Sequence, residues 1–311
     1  MYTLCLDIGG TKIAAGLADA TGALVHTAVR PTPTDGVAEG VWGAVAAAIA
    51  DVQRVADAPV GAVGIASAGP VDLDRGTVSP INITCWERFP LRDRVAALLP
   101  GIPGARVRLG GDGICMALGE HWRGAGRGAR FMLGMVVSTG VGGGLVLGGM
   151  PYVGRTGNAG HVGHVVVEQH GRSCTCGGHG CVETVASGPS MVRWARTHGW
   201  PAPPGTGARG LAAAAAAGDP VAQRAFRRGA TALAAVIASV AAVCDLDLVV
   251  VGGGVARSGP LLFDPLRAAL ADYTGLEFLA RLRVVPAELG GEAGLVGAAR
   301  LATLERPYAA G

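Results

Sequence analysis

One pattern, a strand followed by a glycine-rich turn and a second strand, occurs twice in this 311-residue chain. The first copy, DIGGTKIAAGL, lies near residue 10, and the second, STGVGGGLVLGG, lies near residue 140. Apolar runs broken by glycine and small polar residues are typical of β-hairpins. Backbone N–H groups gathered at such turns bind anions, so the repeat predicts that both turns hold a nucleotide's phosphates across one cleft. Taken singly, either turn fits an ordinary hairpin equally well, and only the repeat favours the phosphate-binding interpretation.

The rest of the chain alternates between helical and strand-like segments, which is typical of layered α/β folds. The pattern predicts strands over 62–66, 106–109 and 246–251, and helices over 40–56 and 294–304. A further helix is predicted after the strand 106–109, running through Ala117 and Glu120. The last strand ends in three glycines, 252–254. Because glycine lets a backbone approach a ligand closely, we expect Gly253 beside a nucleotide's base or ribose.

Composition excludes several classes of protein. Half of the residues are hydrophobic and 16% are charged, so the chain is not disordered. The net charge of +3 is too small to indicate nucleic acid or membrane lipid as a partner. We find no signal-peptide pattern at the N-terminus, and the apolar stretch 230–244 is predicted to be too short to cross a bilayer. These observations predict a cytoplasmic protein.

Three of the seven cysteines, Cys174, Cys176 and Cys181, lie within eight positions. This spacing favours a metal site in a reducing compartment over disulfides, with free buried thiols as the alternative. Three thiolates need one imidazole to complete a tetrahedral zinc site. His179 is the nearest candidate along the chain, although Gly177 and Gly178 predict a tight turn that points it outward.

Taken together, the motifs resemble those of the ROK family of sugar kinases, repressors and open reading frames. They are DIGGTK at 7–12, GGD at 110–112, STGVGGG at 138–144, AGHVGH at 159–164, CTCGGHGCVETVASG at 174–188 and VVVGGG at 249–254. The resemblance covers nearly the whole chain. It implies an α/β actin-like ATPase (ribonuclease H-like) fold with two domains and a structural zinc site in the larger one. We expect a small domain at 1–112, completed by 297–311, and a large domain at 113–296.

The resemblance also implies the roles of individual residues in an ATP- and Mg²⁺-dependent hexose 6-kinase. Asp112 matches the catalytic base, although an aspartate there could also be the N-cap of the next helix. Asp7 matches the residue that holds Mg²⁺ directly or through water, and His164 is the implied fourth zinc ligand. The implied phosphate-binding residues are Gly9, Gly10, Thr11 and Lys12 in the first turn, and Thr139, Gly140 and Gly142 in the second. The implied sugar-binding residues are Gly69, Asn82, Gly111, Asp112, His161, His164 and Glu183. Lys12 is the only lysine among 26 basic residues.

Two positions depart from the family pattern inside the predicted sugar pocket. His161 stands where most of the family's kinases have glutamate, and Gly111 replaces an asparagine before the catalytic aspartate. His161 is shared with bacterial N-acetylmannosamine kinases, so the pattern predicts N-acetylmannosamine as substrate. A kanosamine 6-kinase, a glucokinase and a non-catalytic sugar sensor are the alternatives. ATP is the expected donor, with polyphosphate left open, and we expect a homodimer or homotetramer that binds neither nucleic acid nor membrane.

Overall fold

The computed structural model describes residues 1–102 and 106–305, which form two five-stranded β-sheets and one two-stranded sheet, with helices packed on them. The strands are β1 (Tyr2–Ile8), β2 (Lys12–Ala18), β3 (Leu24–Pro31), β4 (Val60–Ser67), β5 (Val71–Asp72), β6 (Thr77–Val78), β7 (Val107–Gly111), β8 (Phe131–Val137), β9 (Val141–Leu147), β10 (Met150–Tyr152), β11 (Leu248–Gly252) and β12 (Arg283–Pro286). The helices are α1 (Ala38–Arg54), α2 (Leu91–Ala97), α3 (Asp112–Arg123), α4 (Glu183–Ala186), α5 (Gly188–Thr197), α6 (Ala208–Ala216), α7 (Pro220–Cys244), α8 (Pro260–Tyr273) and α9 (Ala293–Thr303).

The two larger sheets are built in the same way. The first has the order β3-β2-β1-β4-β7, and the second has the order β10-β9-β8-β11-β12. In each, a hairpin is followed by parallel strands: β1 pairs antiparallel with β2 and parallel with β4, as β8 does with β9 and β11. The repeated sequence pattern therefore corresponds to the central hairpin of each sheet.

Most predicted elements are present with shifted ends, but the predicted length of the apolar stretch 230–244 is wrong. This stretch is the second part of α7, a 25-residue helix that is long and apolar enough to cross a membrane by length and composition. The helix begins earlier because the Asp219 side chain accepts backbone N–H groups at its first turn. In its most apolar 18-residue stretch, 56% is buried inside the protein. Phe226, Leu233 and Ile237 lie in the core under the second sheet. It is therefore packed as a core helix.

Helices α3 and α9 pack closely together through glycines between the two sheets. A Cβ atom at Gly297 of α9 would lie 1.5 Å from the Cys115 carbonyl oxygen of α3. A Cβ atom at Gly113 of α3 would lie 2.2 Å from the Gly143 oxygen of β9. On its other side, α9 lies against β4, where Gly64 faces the Ala298 carbonyl. Helix α9 thus packs on the first sheet, although it comes last in the chain; residues 306–311 of the predicted C-terminal segment lie outside the described residues.

We expect the substitution Gly297→Ala to destabilise the protein by about 3 kcal/mol or more, because the added methyl overlaps a backbone oxygen that cannot move freely. Gly43→Ala is the matched control, since Gly43 lies in α1 and a Cβ there meets nothing within 4 Å. That change should raise the free energy of unfolding by up to ~1 kcal/mol, through helix propensity. Urea denaturation of both variants measures the difference, and equal stabilities would contradict the close packing.

Candidate active site and metal centre

Asp112 lies at the junction of the two hairpins. It is the first residue of α3, directly after β7, and Gly111 occupies the N-cap position without a side-chain cap. The alternative that Asp112 is the N-cap is therefore wrong. Its Oδ1 accepts a hydrogen bond from the backbone N–H of Gly113 at 2.7 Å. Because Gly113 also packs on Gly143 of the second hairpin, the turn that carries Asp112 contacts both halves of the molecule.

A second carboxylate, Asp7, ends β1 at the same edge of the first sheet. Asp7 is level with Ala66 of β4, whose partner on β7 is Gly110, two residues before Asp112. Desolvation by the surrounding protein raises the pKa of Asp112 to about 6, and the charge of Asp7 contributes to that rise. Asp112 nevertheless remains accessible to solvent. Burial also raises the pKa of Asp7, while Lys12 opposes that shift.

A carboxylate with a pKa near 6 is ionised at neutral pH and can accept a proton. Below about pH 6 it becomes protonated and can no longer act as a base. We therefore expect kcat/KM for the phosphoryl acceptor to fall below about pH 6, where Asp112 becomes protonated. Bound Mg²⁺ would move this limb to lower pH, because a cation favours both carboxylates in their charged form. A pH–rate profile measures the limb, and activity that stays constant down to pH 4.5 would contradict the assignment.

The first predicted phosphate turn is closed by backbone and side-chain hydrogen bonds. The Gly9 N–H donates to the Lys12 carbonyl at 3.0 Å, and Thr32 Oγ1 donates to the Gly9 carbonyl at 2.6 Å. Lys12 Nζ donates to the Gly291 carbonyl at 3.3 Å, just before α9 begins. Lys12 and Thr11 are exposed, while Gly9 and Gly10 are half-buried. The lysine therefore lies at the surface, where an anion can reach it.

The second predicted turn is held by a residue that follows the cysteine cluster. Glu183, the first residue of α4, accepts a hydrogen bond from the Val141 N–H at 2.8 Å. Gly140 lies against the same carboxylate oxygen, since a Cβ atom added to this glycine would be only 2.6 Å from it. Gly142 has open space beside it, and an added Cβ atom there would meet nothing within 4 Å. Thr139 is exposed beside them. This contact was not anticipated from the sequence, and the sugar contact assigned to Glu183 stays a prediction.

Several of the predicted sugar-binding residues lie beside one another. A Cβ at Gly69 would lie 3.5 Å from Nε2 of His161, and a Cβ at Gly10 would lie 2.7 Å from the Asn82 side chain. The His161 and His164 rings are 6.1 Å apart. Although His161 is accessible to solvent, partial burial of its ring lowers its pKa, and His164 lowers it further. A neutral imidazole, which offers one donor and one acceptor, is therefore the form favoured next to Gly69.

The predicted zinc ligands form one cluster. The ligand atoms of His164, Cys174, Cys176 and Cys181 all lie within 4.8 Å of one another. The Cys176 and Cys181 sulfurs are 3.8 Å apart, and the Cys174 sulfur is 3.7 Å from Nδ1 of His164. A tetrahedral zinc ion with sulfur ligands at about 2.3 Å and nitrogen at about 2.0 Å requires edges of about 3.5–3.8 Å.

The donor set therefore fits zinc. Burial, together with the neighbouring Cys174 and Cys176 sulfurs, raises the pKa of Cys181 to about 12. A cation among the thiolates would reverse that shift. His179 is exposed and pairs its backbone with Ser173, so the choice of His164 over His179 agrees with the geometry.

Residues 3–305 match the ROK family. The chain belongs to the ROK family. Its relatives include the glucokinase of Thermotoga maritima, 35% identical over 310 residues that span 95% of both proteins. Another is the N-acetylmannosamine kinase of Escherichia coli O139:H28, 36% identical over 308 residues, which are 98% of this chain and all of that protein. A solved structure of a ROK family glucokinase from Streptomyces griseus with glucose and AMPPNP is 38% identical, with a TM-score of 0.84 over 97% of this chain and 99% of that one.

Membership of the ROK family confirms the actin-like ATPase fold that the motifs predicted, with mixed sheets in both halves. The ROK protein also has a cavity of about 760 Å³ between the second hairpin and α5, α6 and the β11 turn. Its lining includes Ser138, Thr139, Gly254 and four arginines, Arg193, Arg196, Arg209 and Arg257, with no acidic residue among the described lining.

Gly253 itself does not line this cavity. It has a φ of +95°, and a Cβ there would lie 2.4 Å from the Val137 carbonyl oxygen. The position therefore needs glycine because the turn packs closely against β8. The neighbouring Gly254 contributes to the cavity wall instead.

Sequence analysis also missed Asn158, which joins the two halves of the ROK protein. Asn158 Oδ1 accepts from the Val71 N–H at 2.9 Å, and its Nδ2 donates to the Val71 carbonyl at 2.8 Å. A side-chain amide paired in this way mimics the edge of a β-strand. Asn158 lies directly before the AGHVGH motif, but a single asparagine in a glycine-rich loop carries no signal of a partner 87 residues away.

Proposed function

We propose that this ROK sugar kinase transfers the γ-phosphoryl group of ATP to the 6-hydroxyl of an N-acetyl or amino hexose, first among them N-acetylmannosamine. The glucokinase and N-acetylmannosamine kinase relatives, which extend over nearly the whole chain, support a sugar kinase. The observation that carries the proposal is Asp112, a solvent-accessible carboxylate with a pKa near 6 that feels the charge of Asp7 and is joined through Gly113 to the second hairpin.

In this mechanism Asp112 accepts the proton of the sugar hydroxyl as the oxygen attacks the γ-phosphorus. The bond from that phosphorus to the β-phosphate oxygen breaks, and ADP leaves. A positioned carboxylate base contributes roughly 10²–10⁴-fold to such a rate. Mg²⁺, which Asp7 would hold directly or through water, would neutralise charge on the phosphates. The backbone N–H groups of both turns and Lys12 would orient the same phosphates.

The open space beside Asp112 supports a substituted sugar. A Cβ at Gly111 would meet nothing within 4 Å, so the residue before the base leaves room where the family's asparagine would stand. His161, next to Gly69, replaces a glutamate that would only accept hydrogen bonds. Since imidazole can also donate a hydrogen bond, it suits a carbonyl oxygen such as that of an N-acetyl group.

A panel of hexoses with ATP tests this specificity. We expect kcat/KM to be highest for N-acetylmannosamine, followed by kanosamine, with glucose at least tenfold lower. His161→Glu should shift the ratio towards glucose by about tenfold, because a carboxylate cannot donate a hydrogen bond to the N-acetyl carbonyl, and one such bond contributes about 0.5–1.5 kcal/mol. Glucose as the best substrate by tenfold or more would contradict the proposed sugar, while leaving the kinase assignment in place.

A non-catalytic sugar sensor is the alternative that the two altered pocket residues favour. It predicts sugar binding without turnover for every sugar and donor in the panel. The panel also includes polyphosphate as a phosphoryl donor, because the four arginines that line the cavity next to Thr139 carry positive charge that suits a polyanion. Turnover with any member of the panel would exclude the sensor.

The same proposal covers organisation and location. We propose that residues 1–112, completed by 297–305, act as one domain, that residues 113–296 act as the other, and that the two close over the substrates to exclude water. Clustered free cysteines suit a reducing, cytoplasmic location. A homodimer or homotetramer is the proposed assembly, and analytical ultracentrifugation would measure it.

A further inference from the structure

Glu120 is a buried carboxylate that the proposed mechanism does not use. It lies on α3, eight residues after Asp112, and its exposed fraction is 0%. Its two oxygens accept three hydrogen bonds, and within the described chain every donor to them is a backbone N–H group. One bond comes from Ala125, at the end of its own helix, at 3.0 Å.

The other two bonds reach a distant segment of the chain. Oε2 accepts from the Glu288 N–H at 3.1 Å, and Oε1 accepts from the Leu289 N–H at 2.8 Å. These residues begin the segment 288–294, which follows β12, includes the first two residues of α9, and is called the α9 entry loop. A buried carboxylate without partners would be costly, so these bonds fix the position of the loop relative to α3.

The α9 entry loop contacts both charged residues of the first phosphate turn. The Gly291 carbonyl accepts the hydrogen bond from Lys12 Nζ at 3.3 Å. A Cβ at Gly294 would lie 2.7 Å from Oδ2 of Asp7, so the loop backbone lies directly against that carboxylate. A shift of the loop would therefore change where Lys12 and Asp7 stand.

We infer that Glu120 is a positioning residue for nucleotide binding: it holds the α9 entry loop, which in turn holds Lys12 and Asp7 at the phosphates. Helix α3 thus carries the proposed base at its first residue and, two turns later, the anchor of the phosphate-binding lysine. This inference rests on the proposed function, since it assigns Lys12 and Asp7 to MgATP.

The test uses Glu120→Gln in the full chain, with binding of MgAMPPNP measured by calorimetry as well as steady-state kinetics. Glutamine keeps the volume but has one acceptor oxygen, so its NH₂ group must face an N–H donor on one side. We expect Kd for MgAMPPNP and KM for MgATP to rise about tenfold, the effect of one lost hydrogen bond to a charged group. KM for the sugar should change less than twofold.

A double-mutant cycle separates positioning from a general loss of stability. In a Lys12→Met background, Glu120→Gln should weaken MgAMPPNP binding by less than about threefold, because one of the two groups that Glu120 positions is gone. Leu233→Ala, which truncates a buried side chain of α7, is the control for lowered stability. It should leave the Kd for MgAMPPNP within twofold of the wild-type value. Full additivity in the cycle, or equal losses in sugar and nucleotide binding, would overturn the inference.

Leu289→Pro is the second variant, for the case that Glu120→Gln does not fold. It removes one of the two loop donors and leaves Glu120 in place, and the φ of −81° at Leu289 is close to that of proline. It should weaken MgAMPPNP binding in the same direction. Unchanged nucleotide binding in this variant would overturn the inference, whereas a wild-type protein without turnover on any sugar would overturn only the proposed function.

Discussion

Replacing Asp112 with Asn is expected to lower kcat by about 10²–10⁴-fold while sugar binding remains measurable, because the amide cannot accept the hydroxyl proton. The side chain keeps its size, and its carbonyl oxygen can still accept the Gly113 N–H. Asp93→Asn, at an exposed position in α2, is the matched control and should keep wild-type kcat. Steady-state kinetics with ATP and calorimetric titration of the sugar measure the two properties separately. Activity of Asp112→Asn within a few-fold of wild type would remove Asp112 from the mechanism.

The same variant should be more stable than wild type at neutral pH when no ligand is present. The folded-state pKa of Asp112 is raised above the ordinary value of 3.8, so folding binds protons, and stability falls as pH rises from about 4 to about 6. Because Asp112 is accessible to solvent, we expect the gain in Asp112→Asn to be about 1 kcal/mol at pH 7. The gain should vanish below pH 4, where the wild-type carboxyl is neutral. Thermal unfolding at pH 4 and pH 7 tests both halves of this expectation.

Loss of the metal centre is expected to have the second large effect. Cys181→Ser should reduce bound zinc from one ion per chain to none and lower the melting temperature by about 10 °C or more, since such sites contribute on the order of 10 kcal/mol to folding. Cys181 is 2% exposed, so the substitution also leaves a hydroxyl group in a buried position. Activity should fall as well, because Glu183 follows this cluster and holds the second hairpin turn through Val141.

Two control variants make the zinc experiment specific. Cys244→Ser removes a half-buried thiol at the end of α7, outside the cluster, and should keep both zinc and activity. His179→Ala removes the imidazole that lies nearest along the chain but is exposed, whereas His164→Ala removes the one in the cluster. We expect zinc, measured by mass spectrometry, to be lost in His164→Ala and kept in His179→Ala. Zinc retained in Cys181→Ser would contradict the ligand set.

The sequence predicted those features whose signals are local. A glycine-rich turn between two apolar runs predicts a hairpin because adjacent residues determine the backbone conformations that the turn requires. The three clustered cysteines predicted a metal site for the same reason, since their spacing alone brings the sulfurs together. The position of α7 shows the limit of this approach. Its first two turns carry arginines on the exposed side, so the apolar stretch in the sequence covers only the second part of the helix. The start of the helix becomes clear only from the structure, where the Asp219 side chain caps it.

The order of motifs along the chain was enough to fix the family, the fold and the candidate residues, because each motif combines neighbouring residues whose chemistry does not depend on the rest of the molecule. Only the folded chain decided which distant groups meet: Glu183 with Val141, Asn158 with Val71, and Glu120 with the loop before α9. These contacts join residues that are up to 169 positions apart, and the backbone groups that take part in them are the same at every residue. The sequence therefore contains no signal from which such contacts could be predicted. They form only when the two sheets and the helices between them pack into one structure.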